Sequence, residues 1–227
     1  SLLKSLTLAM SILPEEIPVA FTTFMALGAW RLMKLGIIVK QTKTVESLGS
    51  ATVICVDKTG TITENKMSLV NLFTAGPAKI INPDKNMDDA AKALIRTAMW
   101  ASEPIPFDPM ETVLHDAYAA LFSTDERPGY KMIHEYPLSG RPPMMTHLFE
   151  DANGNRIIAA KGAPEAIIAV AELPADEKKQ IAAALDEMTK NGYRVLAVAE
   201  TTHAGKDFPK QQQDFKFQFK GLVAFYD

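Results

Sequence analysis

The chain has 227 residues, 47% of them hydrophobic, and a formal net charge of -3 at pH 7. The length allows one large domain or two small ones, and the charge gives no indication of nucleic-acid binding. The single cysteine, Cys55, excludes an internal disulfide and a thiolate zinc site.

The amino-terminal segment, residues 1–35, is predicted to contain a transmembrane helix. Between residues 5 and 30 the only charges are Glu15 and Glu16, and about 20 apolar residues are enough to cross the hydrocarbon core. A soluble hairpin of two short helices, broken at Pro14, is the alternative.

Two prolines, Pro14 and Pro18, lie on either side of these glutamates. Each proline removes a backbone donor, so we expect the helix to open locally and to free carbonyl oxygens. A hard cation binds such oxygens, and carboxylates at membrane depth normally mark an ion path. Glu15 and Glu16 are therefore candidate ligands of a cation, although in a soluble segment they would simply be solvated at a kink.

An apolar, β-branched run at residues 52–56 is predicted to form a strand buried on both faces, as in a parallel sheet. Asp57 follows it, and ligands of open α/β sheets bind beyond the carboxyl ends of the strands. An aspartate there can carry a phosphoryl group, with charge stabilisation from Lys58, Thr59, Thr61 and a Mg²⁺ ion. A surface turn after an ordinary strand is the alternative.

The remainder, from residue 68, has a mixed pattern of strands and helices. Hairpin strands with helices grouped around them indicate an α+β domain. We predict helices over 88–102, 112–122 and 175–191, and strands over 68–74, 131–138, 145–150, 156–160, 193–200 and 219–227.

One short motif in this part suits a nucleotide. Lys161 and Gly162 precede a predicted helix start, where phosphate or a nucleotide binds well. A helix entry with a solvated lysine is the alternative. Glu111 lies in the first turn of another predicted helix, where a capping acid is expected.

Taken together, the motifs resemble those of cation-transporting P-type ATPases, calcium pumps in particular. Residues 57–63, Asp-Lys-Thr-Gly-Thr-Ile-Thr, resemble the phosphorylation signature, and residues 161–165, Lys-Gly-Ala-Pro-Glu, resemble a motif of the nucleotide-binding domain. Residues 14–18 resemble the proline-acid motif of the fourth transmembrane helix.

The resemblance implies a domain order. A transmembrane segment (1–35) would lead into the first part of a haloacid dehalogenase-like Rossmann phosphorylation domain (36–67). An inserted nucleotide-binding domain (68–218), with an antiparallel sheet and helices, would follow. A strand at 219–227 would return to the phosphorylation domain. The chain would thus be part of an integral membrane pump, with its phosphorylation and nucleotide-binding parts in the cytoplasm.

The resemblance also implies the roles of individual residues. Asp57 would be phosphorylated by ATP, and Asp57 and Thr59 would form part of a Mg²⁺ site. Leu138 occupies the position where the family commonly stacks adenine on phenylalanine, and Tyr136, expected on the same face by alternation, could stack instead. The implied nucleotide-binding residues are Glu111, Tyr136, Leu138, Lys161, Gly162 and Arg194.

The implied function is ATP-driven cation transport through an aspartyl phosphate, with calcium as the first choice of ion, and the isolated fragment is expected to be inactive. A soluble haloacid dehalogenase-like phosphatase is one alternative, but it would normally have a second aspartate at the position of Thr59. A non-catalytic ATP-binding module is another. His115, His134, His147 and His203 lack the spacing of metal ligands, so no metal site is assigned to them.

Overall fold

The computed structural model describes residues 4–5, 7–8, 16–41, 43–57, 60–63, 66–83, 87–205 and 207–227. The chain divides into two compact units, Ser1–Val56 and Asp57–Asp227.

The first unit contains helix α1 (Glu16–Lys34) and the short helix α2 (Lys43–Gly49). Among the described residues, no helix is both long enough and apolar enough to cross a membrane. This differs from the predicted transmembrane segment, whose residues 9–15 lie outside the described part of the chain.

Residues 51–57 are exposed and form no strand in the described chain, which corrects the prediction of a strand buried on both faces. A strand needs neighbours that satisfy its backbone groups, and a parallel strand also needs helices over both faces. None of the described strands pairs with this segment. The described part of residues 36–67 thus shows no Rossmann sheet, and the phosphorylation domain stays a prediction.

The second unit is built on a seven-stranded sheet with the order β2-β1-β7-β6-β5-β4-β3, in which every neighbouring pair is antiparallel. The strands are β1 (Ser68–Thr74), β2 (Lys79–Ile81), β3 (Tyr130–Ser139), β4 (Met144–Asp151), β5 (Arg156–Gly162), β6 (Arg194–Thr201) and β7 (Gln218–Tyr226). The helices are α3 (Asp89–Trp100), α4 (Pro109–Leu121), α5 (Pro164–Val170) and α6 (Ala175–Lys190), with 3₁₀ turns at Arg127–Gly129 and Gln212–Asp214. The predicted antiparallel sheet with helices is confirmed.

Helices cover both faces of this sheet. Leu94 of α3 and Leu114 of α4 pack on one face with Val223, whereas Ile167 of α5 and Ile181 of α6 pack on the other face. Each of these side chains is almost completely buried, and full burial of such a side chain stabilises the fold by about 1.5–3 kcal/mol. The core is therefore two apolar layers separated by the sheet.

Strand β7 lies between β1 and β6, in the interior of the same sheet. This pairing differs from the prediction that residues 219–227 return to the phosphorylation domain. Leu222 and Ala224 enter one apolar layer, and Val223 and Phe225 enter the other. An apolar run of this kind fits the centre of any covered sheet, so the sequence pattern could not tell which sheet receives it.

Candidate functional site

A cavity of about 300 Å³ lies between the amino end of α4 and the ends of strands β3 to β6. Two apolar side chains at this cavity, Phe107 and Leu138, are strongly exposed, at 86% and 63%. The complete lining consists of Glu103, Phe107, Asp108, Met110, Glu111, Glu135, Pro137, Leu138, Met145, Lys161, Gly162 and Leu196. The cavity thus combines apolar walls with several polar groups, which is typical of small-molecule sites.

Strand β5 delivers Lys161 to this cavity. Lys161 shares a face with Ala159, which packs under α3 and α4, because alternate residues of a strand point to the same side. Its side chain is only 6% exposed. Its ammonium group donates to the Ser102 hydroxyl at 2.7 Å and to Glu111 Oε1 at 2.5 Å.

Gly162, next to Lys161, is required by the close approach of β4. A Cβ atom at this position would lie 2.6 Å from both the Met144 Cα and the Pro143 carbonyl oxygen. Both are backbone atoms, so they cannot move aside without distorting the sheet. The glycine therefore serves the packing of β4 against β5.

The start of α4 positions Glu111. The Asp108 carboxylate accepts a hydrogen bond from the Met110 amide at 2.8 Å, and Pro109 occupies the first turn, as is common at helix starts. Glu111 follows in the first turn, where the helix dipole favours a negative charge. It is buried, and its Oε2 atom has no hydrogen-bond partner among the described residues. A residue of the cavity lining thus has an unsatisfied buried carboxylate oxygen.

The Lys161–Glu111 pair is a buried ion pair. Burial lowers the pKa of Lys161, while its hydrogen bond and charge interaction with Glu111 oppose that shift. Removing one partner of such a pair leaves an uncompensated charge in the interior.

A second group of titratable side chains borders the cavity. His147 of β4 is completely buried, and its Nδ1 atom lies 3.0 Å from the Ser102 carbonyl oxygen. Its Nε2 atom lies 3.8 Å from Glu103 Oε1. Burial lowers the pKa of His147, which favours the neutral ring.

The structure separates two residues that were predicted to share a face. Leu138 lines the cavity, but Tyr136 is buried in the opposite layer and its hydroxyl donates to the Pro209 carbonyl. The β3–β4 register shifts between Tyr136 and Ser139. An extra residue at such a bulge reverses the alternation, and Pro137, which cannot donate to the ladder, lies within it.

The other predicted residues lie apart from the cavity lining. Arg194 is exposed at the start of β6, on the same face as the cavity residue Leu196. Asp57 and Thr61 are exposed and do not line the cavity. Glu16 is the exposed first residue of α1. Three predicted site residues lie outside the described residues, namely Glu15, Lys58 and Thr59.

Sequence reasoning missed the cavity residues Glu103, Phe107 and Glu135. A usable signal for Phe107 exists, because residues 104–107 place apolar side chains between prolines just before the start of α4. Glu103 and Glu135 gave no such signal, since only the fold brings them to the same cavity.

The protein-family model for the cytoplasmic domain N of P-type ATPases matches residues 108–227, which is more than half of the chain. The chain therefore belongs to the P-type ATPase family, as its motifs indicated. The matched region contains most of the seven-stranded sheet and most of the cavity lining.

Individual relatives agree with this assignment. The chain is 26% identical to a calcium-transporting ATPase of Bacillus subtilis, over 99% of this chain and 30% of that protein. It is 32% identical to plasma membrane ATPase 1 of Candida albicans, over 88% of this chain and 22% of that protein. It is 27% identical to calcium-transporting ATPase 1 of Schizosaccharomyces pombe, over 88% of this chain and 26% of that protein. The chain thus spans less than a third of the length of these relatives.

Proposed function

We propose that the second unit binds ATP in the cavity around Lys161 and Glu111, and that the complete protein is an ATP-driven cation pump. The observation that carries this proposal is a buried, ion-paired lysine at an apolar cavity in a domain of this family. The family match favours a pump over a soluble haloacid dehalogenase-like phosphatase.

The adenine ring would enter between Phe107 and Leu138. Both side chains are exposed at the cavity, so they are available to cover an aromatic ring. The unsatisfied Glu111 Oε2 would accept a hydrogen bond from an N–H group of the base. Such a bond removes the penalty of an unpaired buried acceptor, which adds to the binding free energy.

The phosphates would extend toward positively charged groups. Arg194 is exposed on the cavity side of β6, where its guanidinium group can bind phosphate oxygens in pairs. Lys161 would hold the base end of the nucleotide, with Glu111 and Ser102 fixing the position of its ammonium group.

Asp57 would accept the γ-phosphoryl group in the complete protein. Its carboxylate oxygen attacks the γ-phosphorus, the bond to the bridging oxygen of ADP breaks, and ADP leaves. Asp57 is exposed, so its carboxylate is not shielded by the core. The Asp57 carboxylate suits Mg²⁺, which prefers oxygen ligands, and Thr59 would be the second protein ligand. When bound, Mg²⁺ neutralises charge on the phosphates.

The transported ion is proposed to be calcium, bound by Glu15 and Glu16 in the membrane. The support is that two of the relatives are named as calcium-transporting ATPases. A complete pump of this kind would be an integral membrane protein with this ATP-binding unit in the cytoplasm.

ATP binding to the 227-residue chain tests the cavity directly. We expect Phe107→Ala to weaken ATP binding about fivefold, because loss of one aromatic contact costs about 1 kcal/mol. Isothermal titration calorimetry measures the affinity.

Ile105→Ala is the matched control, since Ile105 is 85% exposed in the same loop but does not line the cavity. It should bind ATP as the wild type does. Absence of binding by the wild type at millimolar ATP, or equal losses in both variants, would refute this site.

Phosphorylation is tested on the complete protein. With ATP labelled at the γ-phosphate, the wild type should become labelled and Asp57→Asn should not, because the amide is not a nucleophile. The cation that triggers labelling identifies the transported ion. Full labelling of the Asp57→Asn variant would contradict the assignment of the phosphorylated residue.

A further inference from the structure

Three side chains beside the cavity bring potential metal ligands together. The side chains of Glu103, Glu135 and His147 place one ligand atom each within 4.8 Å of the others. Glu135 and His147 are directly opposite each other in the β3–β4 ladder, so they are neighbours on one face of the sheet. Glu103 follows α3 and approaches the same point from above the sheet.

The hydrogen bond of His147 determines which nitrogen is available. The Ser102 carbonyl oxygen can only accept, so Nδ1 of His147 must carry the hydrogen and donate it. In that tautomer Nε2 has a lone pair that can bind a ligand. This atom is fully buried and has no hydrogen-bond partner among the described residues.

The environment of this lone pair points to a cation. Glu103 Oε1, on a side chain that is 26% exposed, faces this buried nitrogen at 3.8 Å, and no hydrogen bond satisfies the nitrogen among the described residues. Buried polar atoms of native proteins are nearly always satisfied. A positive ion between them would satisfy both, with Glu135 supplying a further carboxylate from the exposed side.

We propose that His147, Glu103 and Glu135 form a binding site for a divalent transition-metal ion of the Zn²⁺ class. One imidazole and two carboxylates are a common ligand set for such ions, whereas Mg²⁺ and Ca²⁺ prefer oxygen ligands alone. Ligands about 2.0–2.2 Å from a tetrahedral Zn²⁺ lie about 3.4 Å apart, close to the 3.8 Å between His147 and Glu103. The remaining coordination position would open toward the cavity.

The site does not depend on the proposed ATP binding, because its ligands are all supplied by the protein. A bound ion would join β3 and β4 to the segment that follows α3. That segment includes Ser102, whose hydroxyl accepts a hydrogen bond from Lys161. Metal binding would therefore restrict the motion of Ser102, which accepts the hydrogen bond from the buried Lys161.

Zinc titration of the 227-residue chain without nucleotide tests the proposal. The parent chain and every variant in this experiment carry Cys55→Ser, because the exposed thiol of Cys55 can itself bind zinc. We expect saturable binding of one Zn²⁺ ion per chain by isothermal titration calorimetry, and no saturable binding of Mg²⁺ or Ca²⁺ at the same concentrations. Failure of this binding leaves the ATP titration unaffected, so the two proposals are tested separately.

Glu135→Gln is the first variant, since this exposed side chain can lose its charge without disturbing the core. It should bind Zn²⁺ at least tenfold more weakly. Glu177→Gln, which removes one exposed carboxylate from α6, is the matched control and should bind as the parent does.

His147→Asn is the second variant, because asparagine can keep the donor to the Ser102 carbonyl while removing Nε2. It should also bind at least tenfold more weakly, and its melting temperature shows whether it remains folded. With Co²⁺ in place of Zn²⁺, the parent should show visible absorption of nitrogen and oxygen ligation. Absence of saturable Zn²⁺ binding, unchanged affinity in Glu135→Gln, or an NMR spectrum showing a protonated Nε2 in the presence of zinc would overturn the proposal.

Discussion

The segments 52–63 and 156–165 share a sequence pattern but differ in structure. Each is an apolar run followed by a charged residue, hydroxyl or small residues and a glycine. Residues 156–162 form β5, which pairs with β4 and β6 and is covered on both faces. Residues 52–56 are exposed and unpaired with any described strand. A local pattern therefore indicates the chemistry of a segment, but a strand also requires neighbours.

Hydrogen exchange gives the largest expected difference between the two segments. Backbone amides of β5 are held in the centre of a sheet, so they should exchange only on global unfolding. Amides at residues 53–56 should exchange nearly as fast as in an unfolded peptide. Their exchange rates should therefore exceed those of the β5 amides by a factor on the order of 10³ or more. Mass spectrometry of proteolytic peptides measures both. Equal protection of the two segments would show that residues 52–56 do have strand partners.

The buried end of β5 provides the next test, through Lys161→Met. This change leaves the Glu111 carboxylate buried and unpaired, so we expect the free energy of unfolding to fall by about 3–5 kcal/mol. Urea denaturation followed by the fluorescence of Trp100, which is buried in the same unit, measures it in a Trp30→Phe background.

Two further variants control for this effect. Adding Glu111→Leu to Lys161→Met removes both charges and should restore most of the lost stability. Lys190→Met breaks an ion pair with Asp186 in which both side chains are exposed, so no measurable change is expected. If the free energy of unfolding were the same for Lys161→Met as for Lys190→Met, the Lys161–Glu111 ion pair would not contribute to the stability of the fold.

Much of the second unit could be predicted because its periodicity is strong. The structure has helices at Asp89–Trp100 and Ala175–Lys190, close to the predicted bounds, and the strands β3 to β6 lie where alternation placed them. The short edge strand Lys79–Ile81 was missed, since three residues carry too little pattern. The sheet to which β7 belongs depends on long-range pairing that a local pattern does not contain.

The candidate site was predictable in part. Lys161 and Glu111 were selected through motifs, and the structure joins them by an ion pair. Tyr136 was placed wrongly because a bulge at Pro137 reverses the alternation of β3. The proximity of His147 to two glutamates was not predictable from spacing, because it depends on the β3–β4 register and on the position of the segment after α3.

The interior position of β7 has a consequence for biosynthesis. Without this strand the sheet consists of two separate pieces, β1 with β2 and β3 to β6, because only β7 joins them. Its residues, 218–226, are the last of the sheet to leave the ribosome. The apolar layers on both sides of β7 therefore remain open during translation, which makes the nascent chain prone to aggregation until the final strand is inserted.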